Sequence, residues 1–236
     1  MGFVFASTWF IYTWQRFAKL KTGQHFASER LRWMQDHRKS VNAILWISGT
    51  LAAVLVFCLK WNTLIILIPA GVLSGFYVGR FLLKQIKGFR DLPFLKAYVV
   101  SVAWTAMLVF LPLMQTKTGW SAHELWYALA VFCFIFSLAV IFDLRDAPID
   151  HPGMKTLPQL LGKKGTLFVA ILALFISIVI VSIIQPNWIL PGGIIALTGI
   201  VLMLISVRRT DDFFYSFWLD GYLFLPGLFA LNYWIL

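Results

Sequence analysis

The sequence predicts an all-α membrane protein, an eight-helix transmembrane bundle forming a single transmembrane helical domain over residues 1–236. Three observations predict it. First, 60% of the residues are hydrophobic and only 13% are charged, whereas soluble domains carry about 45–50% apolar and about 25% charged residues. Second, apolar stretches of about 20 residues, the length needed to cross the hydrocarbon core, recur along the whole chain. Third, basic residues are abundant in alternate connecting segments and scarce in those between. This composition excludes an ordinary soluble enzyme, and it excludes a disordered chain, which requires low hydrophobicity.

The spans fall at about 1–20, 41–59, 62–82, 96–114, 123–143, 166–184, 188–206 and 216–236. The first is the least apolar, because Gln15, Arg16 and Lys19 occupy its last turns. It lacks the basic start and small-residue cleavage site of a signal peptide. The spans 41–59, 166–184 and 188–206 contain no charge at all. Those at 62–82 and 96–114 flank a basic loop, and 123–143 runs into a group of aspartates. The last, 216–236, carries Asp220 inside an apolar run. Runs such as 178–181 are β-branched but do not alternate apolar with polar residues, as a barrel strand would. Trp61, Trp120, Trp126, Trp188 and Trp234 fall near expected interfaces and read as belt residues. Trp14, Trp46 and Trp104 lie deeper and are candidates to line an internal channel. Cys58 and Cys133 read as small apolar packing residues.

The net charge is +10, from 20 Lys+Arg and 10 Asp+Glu. On a soluble chain this would point to nucleic acid; beside membrane spans it reports orientation. Eighteen of the 20 basic residues lie in or beside loops 1–2, 3–4, 5–6 and 7–8, and two lie in the alternate loops. The expectation is therefore an integral membrane protein of a bacterial inner membrane, with those four loops cytoplasmic and both termini outside. Eight of the 10 acidic residues share the basic side. Carboxylates contribute little to orientation, so their concentration there suggests a polar site at the cytoplasmic face.

The most informative stretch runs from Phe142 to Pro158, with Asp143, Asp146 and Asp150 at i, i+3 and i+7. Those positions share one face of a helix, and three carboxylates on one face repel one another unless a cation lies between them. Oxygen-only ligands suit a hard cation such as Mg²⁺, which binds one or two carboxylates plus substrate phosphates. Pro148 argues that the helix ends near Ala147 and leaves Asp150 in the loop. The bland alternative is a solvated acidic loop after a membrane helix. His25, His37, His123 and His151 show no ligand spacing.

Asp143, Arg145, Asp146, Asp150, Gly153, Thr156, Leu157, Pro158, Leu161 and Gly162 together resemble the second aspartate-rich motif of the UbiA superfamily of intramembrane prenyltransferases. The match covers about 20 residues, and its Asp150–Gly153 spacing is one residue shorter than in many members. Beyond it the resemblance is architectural. The family has nine helices, an N-terminus inside and this motif after its sixth helix. Loss of the first family helix accounts for the three differences, by shortening or by an upstream start. The resemblance implies transfer of an isoprenyl group from a prenyl diphosphate to a lipophilic acceptor. It assigns catalysis to Asp143 and Asp146, and Mg²⁺ to Asp143, Asp146 and Asp150.

The family's first motif, Asn-x-x-x-Asp-x-x-x-Asp, has no counterpart here. The matching helix end reads 12–20, with Tyr12 and Arg16 about where Asn and Asp would stand. An arginine cannot ligate a metal, but it holds phosphate directly. Arg16 and Lys19 are therefore candidate substrate-binding residues. Lys96, Arg90, Arg145 and Lys155 join them, with Lys96 the foremost diphosphate candidate. Asp220 is included because an intramembrane carboxylate is costly and implies a partner or a function. The expected partners are a prenyl diphosphate, a lipophilic acceptor and membrane lipids, not nucleic acid. The alternative to an enzyme is a non-catalytic UbiA-like homologue that binds lipid or a partner membrane protein.

Overall fold

Apolar stretches of this length form helices in a membrane because hydrocarbon offers the backbone no hydrogen-bond partner, so each amide must bond within its own segment. In the computed structural model of the chain, every regular element among the described residues is helical. The structure describes residues 2–21, 29–65, 67–69, 71–72, 95–116, 120–148, 156–209 and 211–235. The long helices are α1 (Gly2–Lys21), α2 (Glu29–Asp36), α3 (Arg38–Val56), α4 (Lys96–Thr116), α5 (Ala122–Asp146), α6 (Leu157–Ile184), α7 (Ile189–Ser206) and α8 (Leu225–Ile235).

Among the described residues, five segments are long and apolar enough to cross a membrane: α3, α4, α5, α6, and Pro186–Ser206, which contains α7. Only 17–39% of each apolar window is buried within the chain. The rest presents side chains such as Val54, Trp46, Ile183 and Leu190 outward. So large an apolar surface is untenable in water and ordinary in lipid. The chain is an all-α membrane protein.

Several expected spans differ from the observed elements. The first is one continuous helix, α1, but it is not among the five. The span at 62–82 is described only as far as residue 72. The span at 216–236 is not one helix. A π-helical segment, Phe214–Leu219, leads to the short turn Asp220–Tyr222, and at Leu223 and Phe224 the bonding tightens to a turn, with their N–H groups on the Asp220 and Gly221 carbonyls, before α8. Pro226 stands in the first turn of α8, where its missing N–H costs nothing to that helix, and it has no N–H to carry helical bonding back to the Tyr222 carbonyl. Within α6, Gly162 has φ +66 and ψ 179. That left-handed backbone suits glycine; it separates the short Leu157-to-Leu161 turn from a long apolar helix matching the 166–184 span. Trp46 is 78% exposed, so it does not line an internal channel. Cys58 is also exposed rather than packed.

The chain divides into two compact units, residues 1–90 with 106–119, and 91–105 with 120–236. In the first, α1 packs along α3, and Gly49 allows the approach: a Cβ there would lie 3.1 Å from the Phe10 ring. The Gln115 side-chain oxygen accepts bonds from the Lys60 N–H and the Thr63 hydroxyl, each at 3.0 Å. In the second unit, α5 packs along α6, and α6 along α7. Their core includes Leu138, Ile141, Leu174, Met203 and Tyr215. The Ser177 hydroxyl donates to the Ala130 carbonyl at 2.7 Å, joining α6 to α5. Tyr222 donates to the Ile195 carbonyl at 2.7 Å, over Gly199, where any side chain would collide with the Tyr222 ring and Leu174.

Candidate functional site

The last turns of α5 carry Asp143, Arg145 and Asp146, and the helix stops at Asp146, where Pro148 follows. The Ala147 N–H still bonds to the Asp143 carbonyl at 2.9 Å, so both aspartates stand on regular helix. Spacing of i, i+3 puts them on one face. The start of α4 lies against this face, within the same unit.

There Lys96 joins them. Its Nζ is 2.9 Å from Asp143 Oδ1 and 3.0 Å from Asp146 Oδ2. Lys96 and Asp143 are both buried. Arg145 takes the other oxygen of Asp146, Nε to Oδ1 at 3.0 Å, and its Nη1 lies 3.7 Å from Asp212 Oδ1. The guanidinium is also flanked by rings: its carbon is 5.3 Å from the Phe142 centroid and 5.1 Å from that of Tyr215. Aromatic faces attract such a cation. The Tyr215 hydroxyl donates to the carbonyls of Ser206 and Arg209 at 3.3 and 3.4 Å. Burial pushes its phenol above the ordinary range.

A charge moved out of water costs several kcal/mol unless it is paired and hydrogen-bonded. This cluster meets that condition by interleaving signs: carboxylate, ammonium, carboxylate, guanidinium, carboxylate. Of the sequence-derived candidates, Lys96, Asp143, Arg145 and Asp146 come together here. Arg16 belongs to the first unit. There it lines a cavity of about 630 Å³ with Trp9, Thr13, Trp33, Met34, Val41 and Ile44, and it lies 5.9 Å from the Tyr12 ring centroid. Lys19 is on α1, with its side chain outside the described residues. Arg90, Asp150 and Lys155 lie outside the described residues. Asp220 is exposed at the end of the π-helical segment.

The sequence reading did not assign Asp212, Tyr215 or Phe142 to the site. The adjacent pairs Arg208-Arg209 and Asp211-Asp212 were a visible signal for Asp212; nothing marked the two aromatic residues. Elsewhere in the motif, Gln159 Oε1 accepts the Thr156 N–H at 3.1 Å, a capping arrangement that opens α6.

The described residues do not fit a magnesium ion in this arrangement. An ion shared by Asp143 and Asp146 would need their oxygens at about 2.0–2.1 Å. Lys96 already stands between them, and Arg145 holds the remaining oxygen of Asp146. A divalent ion there would press against an ammonium of like charge. Among the described residues, no group of three or more His, Cys, Asp or Glu side chains gathers as a metal site.

No family model, curated protein or solved structure matches the chain.

Proposed function

We propose that the chain is a UbiA-like intramembrane prenyltransferase: an eight-span bundle that takes a prenyl diphosphate and transfers its isoprenyl group to a lipophilic acceptor. The observation that carries this reading is the meeting of Lys96, Asp143, Arg145 and Asp146 at the end of an apolar helix. Asp143, Arg145 and Asp146 belong to the motif resemblance, and Lys96 is the foremost diphosphate candidate of the sequence. In the transfer, the bond between the isoprenyl C1 and the diphosphate oxygen breaks, and the diphosphate leaves with the electron pair. A nucleophilic atom of the acceptor bonds to C1 and releases a proton. Lys96 and Arg145 are the cations placed to meet the diphosphate charge, as electrostatic stabilisation of a leaving group requires. Asp143 and Asp146 hold those cations in position. The bilayer delivers both apolar substrates.

The test is a prenyl-transfer assay on the full chain with a panel of prenyl diphosphates and lipophilic acceptors, run with Mg²⁺ and with a chelator. Turnover that falls strongly in Asp146→Ala and Lys96→Met supports the reading. Turnover that both variants retain in full rejects the assigned roles. Persistence of turnover under the chelator would agree with Lys96 in the cation position.

A second reading is a non-catalytic UbiA-like homologue that binds lipid or a partner membrane protein. Two observations favour it. The carboxylates are already neutralised by protein cations, and Tyr12 and Arg16 stand where the first motif would lie. No turnover under any condition, with retained prenyl diphosphate or lipid binding, selects this reading.

For orientation, the proposal keeps loops 1–2, 3–4, 5–6 and 7–8 cytoplasmic, in a bacterial inner membrane. Cys58 then lies at the outer side. A membrane-impermeant maleimide added to intact cells should label it; labelling only after the cells are opened reverses the orientation.

A further inference from the structure

We propose that Lys96 is the resident counter-ion of the Asp143–Asp146 pair and excludes divalent cations from it. The inference stands on the cluster geometry alone and does not require the transferase reading. Two carboxylates at i, i+3 on one helix face are a donor set that a hard cation with bound waters accepts. Here the start of α4 delivers an ammonium to that position, within hydrogen-bond distance of an oxygen of each carboxylate. The ammonium is covalently tethered, so its local concentration is fixed by the fold rather than by solution. A divalent ion competes only by shedding water and displacing a buried ammonium that both carboxylates hold. Lys96 is 7% exposed and Asp143 4%, so neither partner can exchange its counterpart for solvent cheaply. Arg145 adds a second barrier by holding the outer oxygen of Asp146.

The native chain and a chain without the ammonium should therefore respond oppositely to a divalent ion. Lys96→Met keeps much of the side-chain volume and removes the charge. It takes away the ammonium that bridges the two carboxylates. A hard divalent ion is then the ligand class that the pair accepts.

The experiment uses the full chain purified in detergent, with Mn²⁺ alone as the probe. Binding is read by electron paramagnetic resonance and stability by thermal unfolding. The native chain and Asp146→Asn should bind Mn²⁺ equally weakly, and neither unfolding midpoint should move with Mn²⁺ or Mg²⁺. Lys96→Met should gain Mn²⁺ affinity by about tenfold or more and show a midpoint that rises on adding the ion. The double variant Lys96→Met/Asp146→Asn should lose both gains. Native-chain binding that disappears in Asp146→Asn would overturn the proposal, because the ammonium would not be excluding the ion. A folded Lys96→Met with no gain also overturns it, since the pair would then not be a divalent-cation donor set. If Lys96→Met does not fold, the native chain against Asp146→Asn decides alone: equal, weak binding supports exclusion, and binding that depends on Asp146 refutes it.

Discussion

Two helix ends carry the cations that the sequence marks for an anionic substrate, and the chain treats them differently. At the end of α5, five charged side chains interlock, and Lys96 and Asp143 are buried. In the last turns of α1, Arg16 faces a cavity walled by Trp9, Trp33 and aliphatic side chains, with the Tyr12 ring nearby. The first arrangement spends its charges on one another and gains a rigid, specified geometry. The second sets a cation at the wall of an apolar cavity, over the Tyr12 ring. Stability should therefore depend more on the α5 cluster than on Arg16.

Asp143→Ala is the most severe way to sharpen that contrast. It strips one carboxylate from a buried ammonium, and breaking a buried pair typically costs about 3–5 kcal/mol. Unfolding of the detergent-solubilised chain measures the loss, and a change under 1 kcal/mol would break the claim that this end is structurally committed. Arg145→Ala ranks next. It removes the ring contacts as well as the Asp146 pair, and desolvated cation–π contacts alone contribute about 2 kcal/mol. Arg145→Lys should recover only part of this, because an ammonium lacks the planar fork that lies between the rings. Asp212→Asn should cost less than about 1 kcal/mol, since its partner is 3.7 Å away and the pair is partly solvated. Arg16→Ala comes last: it gives up the Tyr12 ring contact, about 0.5–1 kcal/mol, while weakening retention of a prenyl diphosphate in an equilibrium binding assay. Unchanged binding there would place the anion-handling cations at the α5 end alone.

The membrane class was legible in the sequence because it depends on composition and on segment length, both one-dimensional quantities. The end of α5 was legible for a similar reason: Pro148 is a local stop, and the helix ends at Asp146. The aspartates' shared face followed from helical spacing. Their partner did not. Lys96 is 50 residues from Asp146 in the chain, and local spacing says nothing about which of many basic residues the fold delivers. That is why the pair read as a metal site: three like charges on one face require a cation, and the sequence does not say whether ion or side chain provides it. The last span differs for another reason. Its hydropathy is continuous, while its α-helical bonding is interrupted by the π segment and by a turn at Leu223 and Phe224, and hydropathy is blind to such changes of winding.

The π-helical segment Phe214–Leu219 has a consequence for everything after it. An α-helix turns its side chains by about 100° per residue, and a π turn holds an extra residue against that rhythm. Positions before and after the segment therefore keep different angular registers. Asp212 joins the Arg145 cluster from one side of this phase shift, while Asp220 emerges exposed on the other. Winding all six residues as an α-helix would rotate the chain beyond them by about 100°, whereas deleting one would let the segment relax to an α-helix with that orientation kept. In the first case Tyr222 would swing off Gly199. The extra residue thus works as a rotary offset that keeps the Tyr222 ring on its seat.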